Sequence, residues 1–397
     1  MTSSLVTGGR LTGLHELTGI GVDPVRGGYS RHLWQEPDLQ MRAWFVQRAE
    51  ALGLSVEHDR NGNIWAWLGE PGPDAVVTGS HLDSVPGGGE FDGPLGIVVA
   101  LDAVARLQAA GSRLTRPLAV VAFAEEEGSR FGIACMGSRL MTGELAPDRA
   151  RALRDEDGVS FAEAAERVGF DARQIGRDDE ALGRIGVFVE VHVEQGRGLI
   201  ELGSPVAVAS SIFAHGRWML TFRGQGNHAG ATAMGDRDDP MVAAARAVLA
   251  VEQAALAAGD ARATVGRVSA VPGGTSVIAS RVELSLDALA EEDADVRDLV
   301  ADIARRVGAS EFAEQSWSGA VRFDESVRDR LRMALGDVPV LPTGAGHDAG
   351  VLAGTVPTAM VFVRNPTGIS HAPAEFAEAE DCLVGIDALV TVLEELQ

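Results

Sequence analysis

Four apolar runs in this chain are each followed closely by histidine or acidic residues. The runs span residues 75–78, 118–124, 187–191 and 358–363. Short apolar runs between turn signals are typical of buried strands, and open α/β sheets bind ligands outside the carboxyl ends of such strands. The pattern predicts an α/β fold with a mostly parallel sheet flanked by helices. It also predicts that the polar residues after the four runs gather at one edge of that sheet.

The longest polar segment reads GSHLDSVPGGGEFDGPLG over residues 79–96 and carries His81, Asp83 and Asp92. Imidazole and carboxylate groups behind a buried strand are suitable ligands for a hydrolytic metal site. In extended chain His81 and Asp83 share one face, so Asp83 can orient His81 without binding metal itself. The segment also fits a solvated glycine-rich loop in which an aspartate caps a helix over residues 96–108.

The second run leads directly into Glu125, Glu126 and Glu127. Adjacent carboxylates repel one another, and no polar break separates them from the apolar run. This favours a bound cation at the strand end, although the start of a solvated helix is the alternative. The remaining two runs lead to further candidates, namely His192, Glu194, Gln195 and His371.

Six segments carry a resemblance to a known family. They read GSHLDSVPGGGEFDGPLG, AEEEGSRFG, VEVHVEQG, GNHAGATAMGDRDDP, GAGHDAG and GISHAPAEF. In this order they resemble the hydantoinase/carbamoylase branch of the M20 metallopeptidase-like amidohydrolases, from about residue 60 to residue 376. Members include allantoate amidohydrolases, N-carbamoyl-L-amino acid amidohydrolases and β-ureidopropionases. Within the branch, RNGNIWAWLG together with FVRNPTGISHAPAEF is most similar to allantoate amidohydrolases.

The resemblance implies a centre of two divalent ions, Zn²⁺ or Mn²⁺, with Co²⁺ or Ni²⁺ also fitting. Asp92 would bridge the ions, with His81 and His192 completing one position and Glu127 and His371 the other. Two such ions polarise a carbonyl group and activate a water molecule. Glu126 is the expected general base, with Glu125 as the alternative, and Asp83 supports the site.

The resemblance also implies substrate contacts. A histidine equivalent to His228 reaches across a dimer to stabilise the oxyanion, and Gln195 is a polar contact to the substrate. His347 fits a site role or a turn histidine satisfied by Asp348, and His215 fits a site role or an exposed strand residue. The remaining expected contacts are Asn227 and Ser276.

One departure from the family pattern concerns the grip on a substrate carboxylate. The family places an asparagine and, thirteen residues later, an arginine where this chain has Ser276 and Leu289. Leucine cannot replace a bidentate guanidinium. Either another arginine, such as Arg217 or Arg237, binds the carboxylate, or the substrate is a neutral amide or N-acyl compound. A noncatalytic, metal-bound dimeric binding protein is the alternative from another class.

Length and charge agree with such an enzyme. At 397 residues the chain exceeds one ordinary core. We expect a catalytic domain over residues 1–209 and 320–397, and an inserted α+β lid over residues 210–319 that forms a homodimer. A net charge of −23 argues against nucleic acid or an anionic membrane as partner. No run approaches the ~20 apolar residues of a membrane span, so we expect a soluble cytoplasmic enzyme with a small ureido or amide substrate.

Overall fold

The computed structural model describes residues 5–397, which form two compact units. The first unit comprises the described chain up to Ser210 together with Arg322–Gln397, and the second comprises Ser211–Val321. The second unit was predicted over residues 210–319, so it begins one residue and ends two residues later than predicted.

The strands in chain order are β1 (Val6–Thr7), β2 (Arg10–Leu11), β3 (Ser55–His58), β4 (Ile64–Leu68), β5 (Ala75–His81), β6 (Leu118–Phe123), β7 (Ile185–Val193), β8 (Val206–Ile212), β9 (Ala214–Arg223), β10 (Asn227–His228), β11 (Arg262–Val271), β12 (Val277–Ile278), β13 (Arg281–Ala290), β14 (Glu311–Ser318), β15 (Val321–Arg322), β16 (Val340–Thr343) and β17 (Thr358–Val363). The helices are α1 (Thr12–Leu17), α2 (Glu36–Ala51), α3 (Pro94–Ala110), α4 (Met136–Thr142), α5 (Pro147–Ala152), α6 (Phe161–Arg167), α7 (Asp179–Arg184), α8 (Gly198–Leu202), α9 (Pro240–Ala257), α10 (Asp293–Val307), α11 (Glu325–Ala334), α12 (Asp348–Leu352) and α13 (Ala379–Glu395), with a 3₁₀ turn at Met234–Asp236.

The first unit is built on a mixed sheet. Its strand order is β15-β8-β17-β7-β5-β6-β4-β3, and β16 pairs with β8. The four central strands, β17, β7, β5 and β6, are mutually parallel, whereas β8, β4 and β3 pair antiparallel to their neighbours. The predicted parallel arrangement therefore holds for the strands that carry the candidate ligands, and the outer strands make the sheet mixed.

Apolar side chains from helices and sheet form the main core of this unit. Every residue of β5, β6 and β17 is buried, as expected for strands covered by helices on both faces. Helix α3 packs against β5, β7 and α13. It begins with Pro94 in its first turn and ends at Gly111, whose φ of +66° is left-handed. The positions of β5 and α3 thereby set the loop between them.

The second unit is a smaller α+β structure. Its four-stranded antiparallel sheet has the order β11-β13-β9-β14. Alternate residues of β13 are buried, so one sheet face packs against α9 and α10 while the other face is more exposed. The sequence did not predict β14, which follows α10 as an edge strand of this sheet. Three of the eight residues of β14 are partly buried, so its sequence lacks a regular apolar alternation.

Helix α9 is long and apolar enough to cross a membrane by length and composition alone, with a hydropathy of 1.3. In the structure it packs on β9, β11 and β13 and buries Ala244, Ala247, Val251 and Ala254 in the core of the second unit. A share of 28% of this helix is buried, so one face covers the sheet and the other is exposed.

Candidate metal centre

The predicted ligands lie at one edge of the first unit's sheet. His81 is the last residue of β5, Glu125–Glu127 follow β6, His192 lies at the end of β7, and His371 follows β17. Because these four strands are parallel neighbours, their carboxyl ends meet at the same edge. Asp92 reaches this edge from the loop between β5 and α3.

The Asp92 carboxylate lies between two groups of side chains. Its Oδ1 atom is 3.2 Å from His192 Nε2 and 3.5 Å from His81 Nε2. Its Oδ2 atom is 3.3 Å from His371 Nε2, which is 3.4 Å from Glu127 Oε2. In each group the candidate ligand atoms lie within 4.8 Å of one another. Asp92 thus faces both groups, one through each of its carboxylate oxygens.

The histidine tautomers fit a bound cation. His81 Nδ1 donates to the Asp83 carbonyl oxygen at 3.1 Å, and His192 Nδ1 donates to the Val193 carbonyl oxygen at 2.9 Å. Each neutral ring then keeps a lone pair on Nε2. These two Nε2 atoms are 3.5 Å apart and both face Asp92. Converging lone pairs beside a carboxylate could hold a cation, and N and O donors suit Zn²⁺ or Mn²⁺.

Burial raises the pKa of two carboxylates of the site, Glu126 and Glu127. Burial, followed by the charge of Asp92, raises the pKa of Glu127 to about 7. Burial also raises the pKa of Glu126 well above its usual range, despite the opposing effect of His81. Cations bound between these groups would reverse both effects, since they stabilise the ionised carboxylates.

Asp83 links the segments that follow β5 and β6 through hydrogen bonds. Its carboxylate accepts hydrogen bonds from Glu126 N at 3.2 Å and Glu127 N at 3.1 Å, while its backbone oxygen accepts from His81. Its Oδ1 atom lies 3.6 Å from His81 Nδ1. Asp83 therefore contacts His81 as expected, and its carboxylate in addition fixes the backbone of the triple glutamate.

Neighbouring glutamates of this triplet point in different directions. Glu125 has φ +53° and its Oε1 accepts from Arg130 N at 2.8 Å and Phe131 N at 2.7 Å, so it holds the following loop. Glu126 Oε2 lies 3.7 Å from His81 Nε2, and its Oε1 accepts from Cys135 Sγ at 3.4 Å. The geometry therefore favours Glu126 over Glu125 as the carboxylate beside the metal positions.

Two further candidates lie within the first unit. Gln195 Nε2 donates to Asp92 Oδ2 and Ser370 Oγ, both at 3.0 Å, while its buried Oε1 has no partner among the described residues. His347 is 3% exposed, and neither of its ring nitrogens has a partner in the described part of the chain. Asp348 instead accepts from Ser138 Oγ at 2.5 Å, so Asp348 does not satisfy His347 as the turn alternative required.

His347, His192 and Glu190 form another group with ligand atoms within 4.8 Å. His192 has one free lone pair, on Nε2, because its Nδ1 carries a proton. An ion held by this group would have to take that lone pair from the ion beside Asp92. The group is thus an alternative arrangement around His192 and does not add an independent position.

Ser370 and Glu375, which lie on the same segment as His371, also contact this site and were not predicted from the sequence. Ser370 Oγ is 3.2 Å from Asp92 Oδ2 and 3.1 Å from Glu375 Oε2. Glu375 is 4% exposed. The sequence signal of Glu375 was the acidic residue before Phe376 in GISHAPAEF, and no spacing rule singles it out.

The other predicted contacts lie in the second unit. His228 Nδ1 accepts from Gly230 N and Ala231 N, both at 3.1 Å, so its proton is on the exposed Nε2. Asn227 Oδ1 accepts from His228 N at 2.8 Å, and the Ser276 carbonyl oxygen accepts from Ala229 N at 2.9 Å. Both residues thus hold the His228 loop.

His215 lies elsewhere in that unit, on the more exposed face of its sheet. Its Nε2 is 2.6 Å from Asp287 Oδ1, which also accepts from Arg217 Nε at 3.2 Å. Leu289 is the cross-strand neighbour of His215. Arg237 donates to the Ala229 oxygen at 2.5 Å and the Thr232 oxygen at 3.2 Å. Arg237 therefore holds the loop after His228, and Arg217 has the more exposed guanidinium.

Comparisons with known proteins agree with this geometry. Residues 77–395 match Peptidase family M20/M25/M40. The chain is 37% identical over 398 residues to the N-carbamoyl-L-amino acid amidohydrolase of Geobacillus stearothermophilus, covering 96% of this chain and 97% of that protein. It is 32% identical over 392 residues to the allantoate amidohydrolase of Bacillus subtilis, covering 93% of each. A crystal structure of a hydantoinase/carbamoylase family amidase from Burkholderia vietnamiensis superposes with a TM-score of 0.84 at 30% identity, covering 96% of this chain and 95% of that one. The chain therefore belongs to peptidase family M20/M25/M40 and, within it, to the hydantoinase/carbamoylase branch.

Proposed function

We propose that this protein is a metal-dependent amidohydrolase that cleaves a linear C–N bond of an N-carbamoyl or allantoate-like substrate. The observation that carries the proposal is the position of Asp92 between His81 and His192 on one side and Glu127 and His371 on the other. This donor set fits two divalent ions, Zn²⁺ or Mn²⁺. Relatives at 37% and 32% identity are named for N-carbamoyl-L-amino acid and allantoate hydrolysis.

When bound, the ions would polarise the substrate carbonyl and make an adjacent water more acidic. Glu126 accepts a proton from the attacking water as the water oxygen bonds to the carbonyl carbon. It then passes this proton to the departing nitrogen as the C–N bond breaks. Asp83 keeps Glu126 and Glu127 in register through their backbone N–H groups.

His347 and Gln195 are the groups that we assign to the substrate within the first unit. A buried, unpaired imidazolium would be very costly, so His347 is neutral and offers one donor and one acceptor. A ureido group presents both N–H donors and a carbonyl acceptor. The unpartnered ring nitrogens of His347 and the unpartnered Oε1 of Gln195 complement that combination.

His228 is the proposed oxyanion donor, supplied by a second copy in a homodimer. Its tautomer leaves an exposed N–H on Nε2, as an oxyanion donor requires. The edge strand β11 and helix α9 offer a surface for the second copy. Apolar side chains on them are exposed: Val268 by 52%, Leu249 by 58% and Leu256 by 80%. A sheet edge beside exposed apolar groups is suited to association.

Specificity for a carboxylate is the point on which a second candidate function rests. Leu289 is apolar, and the Nε and Nη2 atoms of Arg237 are bonded to backbone oxygens. Hydrolysis of a neutral amide is therefore the second candidate. Arg217, oriented by Asp287, is the residue that would retain a carboxylate substrate. The noncatalytic alternative is disfavoured because a binding protein has no need of a buried Glu126 beside the ligands.

The test is ammonia release from the purified, metal-loaded, soluble protein. Allantoate and N-carbamoyl amino acids should be turned over, whereas Glu126→Gln should lower the turnover of both by about 10²- to 10⁴-fold. Turnover of uncharged amides alone would establish the second candidate. Absence of turnover on every substrate, with metal bound, would refute the enzymatic proposal.

A further inference from the structure

Glu375 lies where two ligand-bearing loops meet. One loop joins β5 to α3 and carries Asp92, and the other joins β17 to α13 and carries His371. Glu375 Oε1 accepts from Phe91 N at 2.9 Å and Asp92 N at 2.8 Å. Its Oε2 accepts from Ser370 Oγ at 3.1 Å. One buried carboxylate therefore bonds to the backbone of Asp92 and to the residue before His371.

The Asp92 loop is closely fitted around this carboxylate. A Cβ atom at Gly89 would lie only 2.3 Å from Glu375 Oε1 and 2.5 Å from Glu375 Cβ. Phe91 packs edge-on against Phe376, with ring centroids 6.0 Å apart. The absence of a side chain at residue 89 thus permits the approach, and the aromatic pair holds the same two loops together.

We propose that Glu375 is a positioning residue that sets the separation between Asp92 and His371, and thereby the affinity for the ion held by Asp92, Glu127 and His371. This rests on the proposed two-ion centre. The other ion position depends less on Glu375, because His81 and His192 are anchored at the ends of the parallel strands β5 and β7. Their Nδ1 atoms are also bonded to the backbone.

Glutamine, aspartate and alanine at residue 375 separate hydrogen-bond geometry from charge. In Glu375→Gln, the amide oxygen can still accept from both backbone N–H groups, and the amide nitrogen can donate to Ser370 Oγ. Glu375→Asp keeps the charge but is too short to bond to both loops. Glu375→Ala removes both the bonds and the charge.

The measurement is Mn²⁺ binding to the chelated protein by calorimetry, with turnover measured at each metal concentration. Glu375→Ala and Glu375→Asp should weaken the affinity for the ion at Asp92, Glu127 and His371 by about 10- to 100-fold. The affinity for the ion beside His81 and His192 should change by less than about threefold. Glu375→Gln should stay within about threefold of the parent for both ions. Excess Mn²⁺ should restore kcat with KM unchanged. Glu378→Ala, an exposed residue on the same segment, serves as the control with parent behaviour.

Two results would overturn the proposal. Unchanged binding of both ions by Glu375→Ala would show that the loops hold their positions without the carboxylate. Equal losses of ion affinity in Glu375→Gln and Glu375→Ala would show that the charge of Glu375, and not its hydrogen-bond geometry, supports the ion. If the parent itself binds fewer than two ions, the proposed two-ion centre is refuted, independently of the role of Glu375. Circular dichroism on each variant separates loss of metal from loss of fold.

Discussion

Replacing Gly93 by alanine should both disable the candidate metal centre and destabilise the protein. A Cβ atom at residue 93 would lie 2.4 Å from His81 Cε1 and 2.5 Å from His81 Nδ1. Ordinary contacts begin near 3.4 Å, so the ring must retreat by about 1 Å. A misplacement of this size costs about 100-fold in rate, or about 2.7 kcal/mol of transition-state stabilisation. Alanine at φ +80° and ψ −61° also costs about 1–3 kcal/mol of folding stability.

Gly111 supplies the matched control because it terminates the other end of α3. It also has a positive φ, +66°, but no atom lies within 4 Å of the position that a Cβ atom would take there. Gly111→Ala should therefore lose about 1 kcal/mol of stability and keep its turnover. The assays are ammonia release, Mn²⁺ affinity and urea unfolding for both variants. A Gly93→Ala protein with turnover within about threefold of the parent would refute the placement of His81 against this backbone.

Three further predictions concern single side chains. Glu126→Gln should lower kcat by about 10²- to 10⁴-fold with metal content unchanged, whereas Glu125→Gln should chiefly lower the urea midpoint; the reverse result would move the base to Glu125. His228→Ala should lower kcat by about 100-fold or more without loss of metal, and an unchanged rate in steady-state assays would remove its oxyanion role. Burial, followed by His192, holds the pKa of His347 well below its usual value, so below about pH 6.5 the unfolded chain binds a proton that the folded chain does not. The free energy of unfolding of the metal-free protein should therefore fall by up to about 1.4 kcal/mol per pH unit as pH decreases from there. His347→Phe should remove this part of the pH dependence. If urea titrations at several pH values give the parent and His347→Phe the same pH dependence of unfolding free energy, the prediction is contradicted.

The central strands were predictable because each one contains a run of mainly apolar residues. Covered by helices on both faces, β5, β6 and β17 need no polar residues until they reach the edge of the sheet. The change of residue type at that edge is the signal that located His81 and the triple glutamate. The edge strand β3 gave a weaker signal, since its residues are exposed or half-buried and include Ser55, Glu57 and His58.

The supporting contacts were not predictable from one sequence. Glu375 reaches Asp92 across 283 positions of chain, and its role depends on how two loops fold back on each other. The direction of Glu125 depends on a left-handed backbone and on the N–H groups of a later loop. Strand β14 was missed for a related reason: it pairs with β9, almost 100 residues earlier, and carries little apolar periodicity of its own.

The most direct test of the central claim is ammonia release from an N-carbamoyl amino acid as Mn²⁺ or Zn²⁺ is added stepwise to chelated protein. We expect no turnover without metal, and a rate that rises to its maximum as two ions bind per chain. An Asp92→Asn variant should not reach that rate at the same metal content, because one of its carboxylate oxygens is lost. Full turnover by the chelated protein, or by Asp92→Asn, would contradict a reaction that depends on ions held around Asp92.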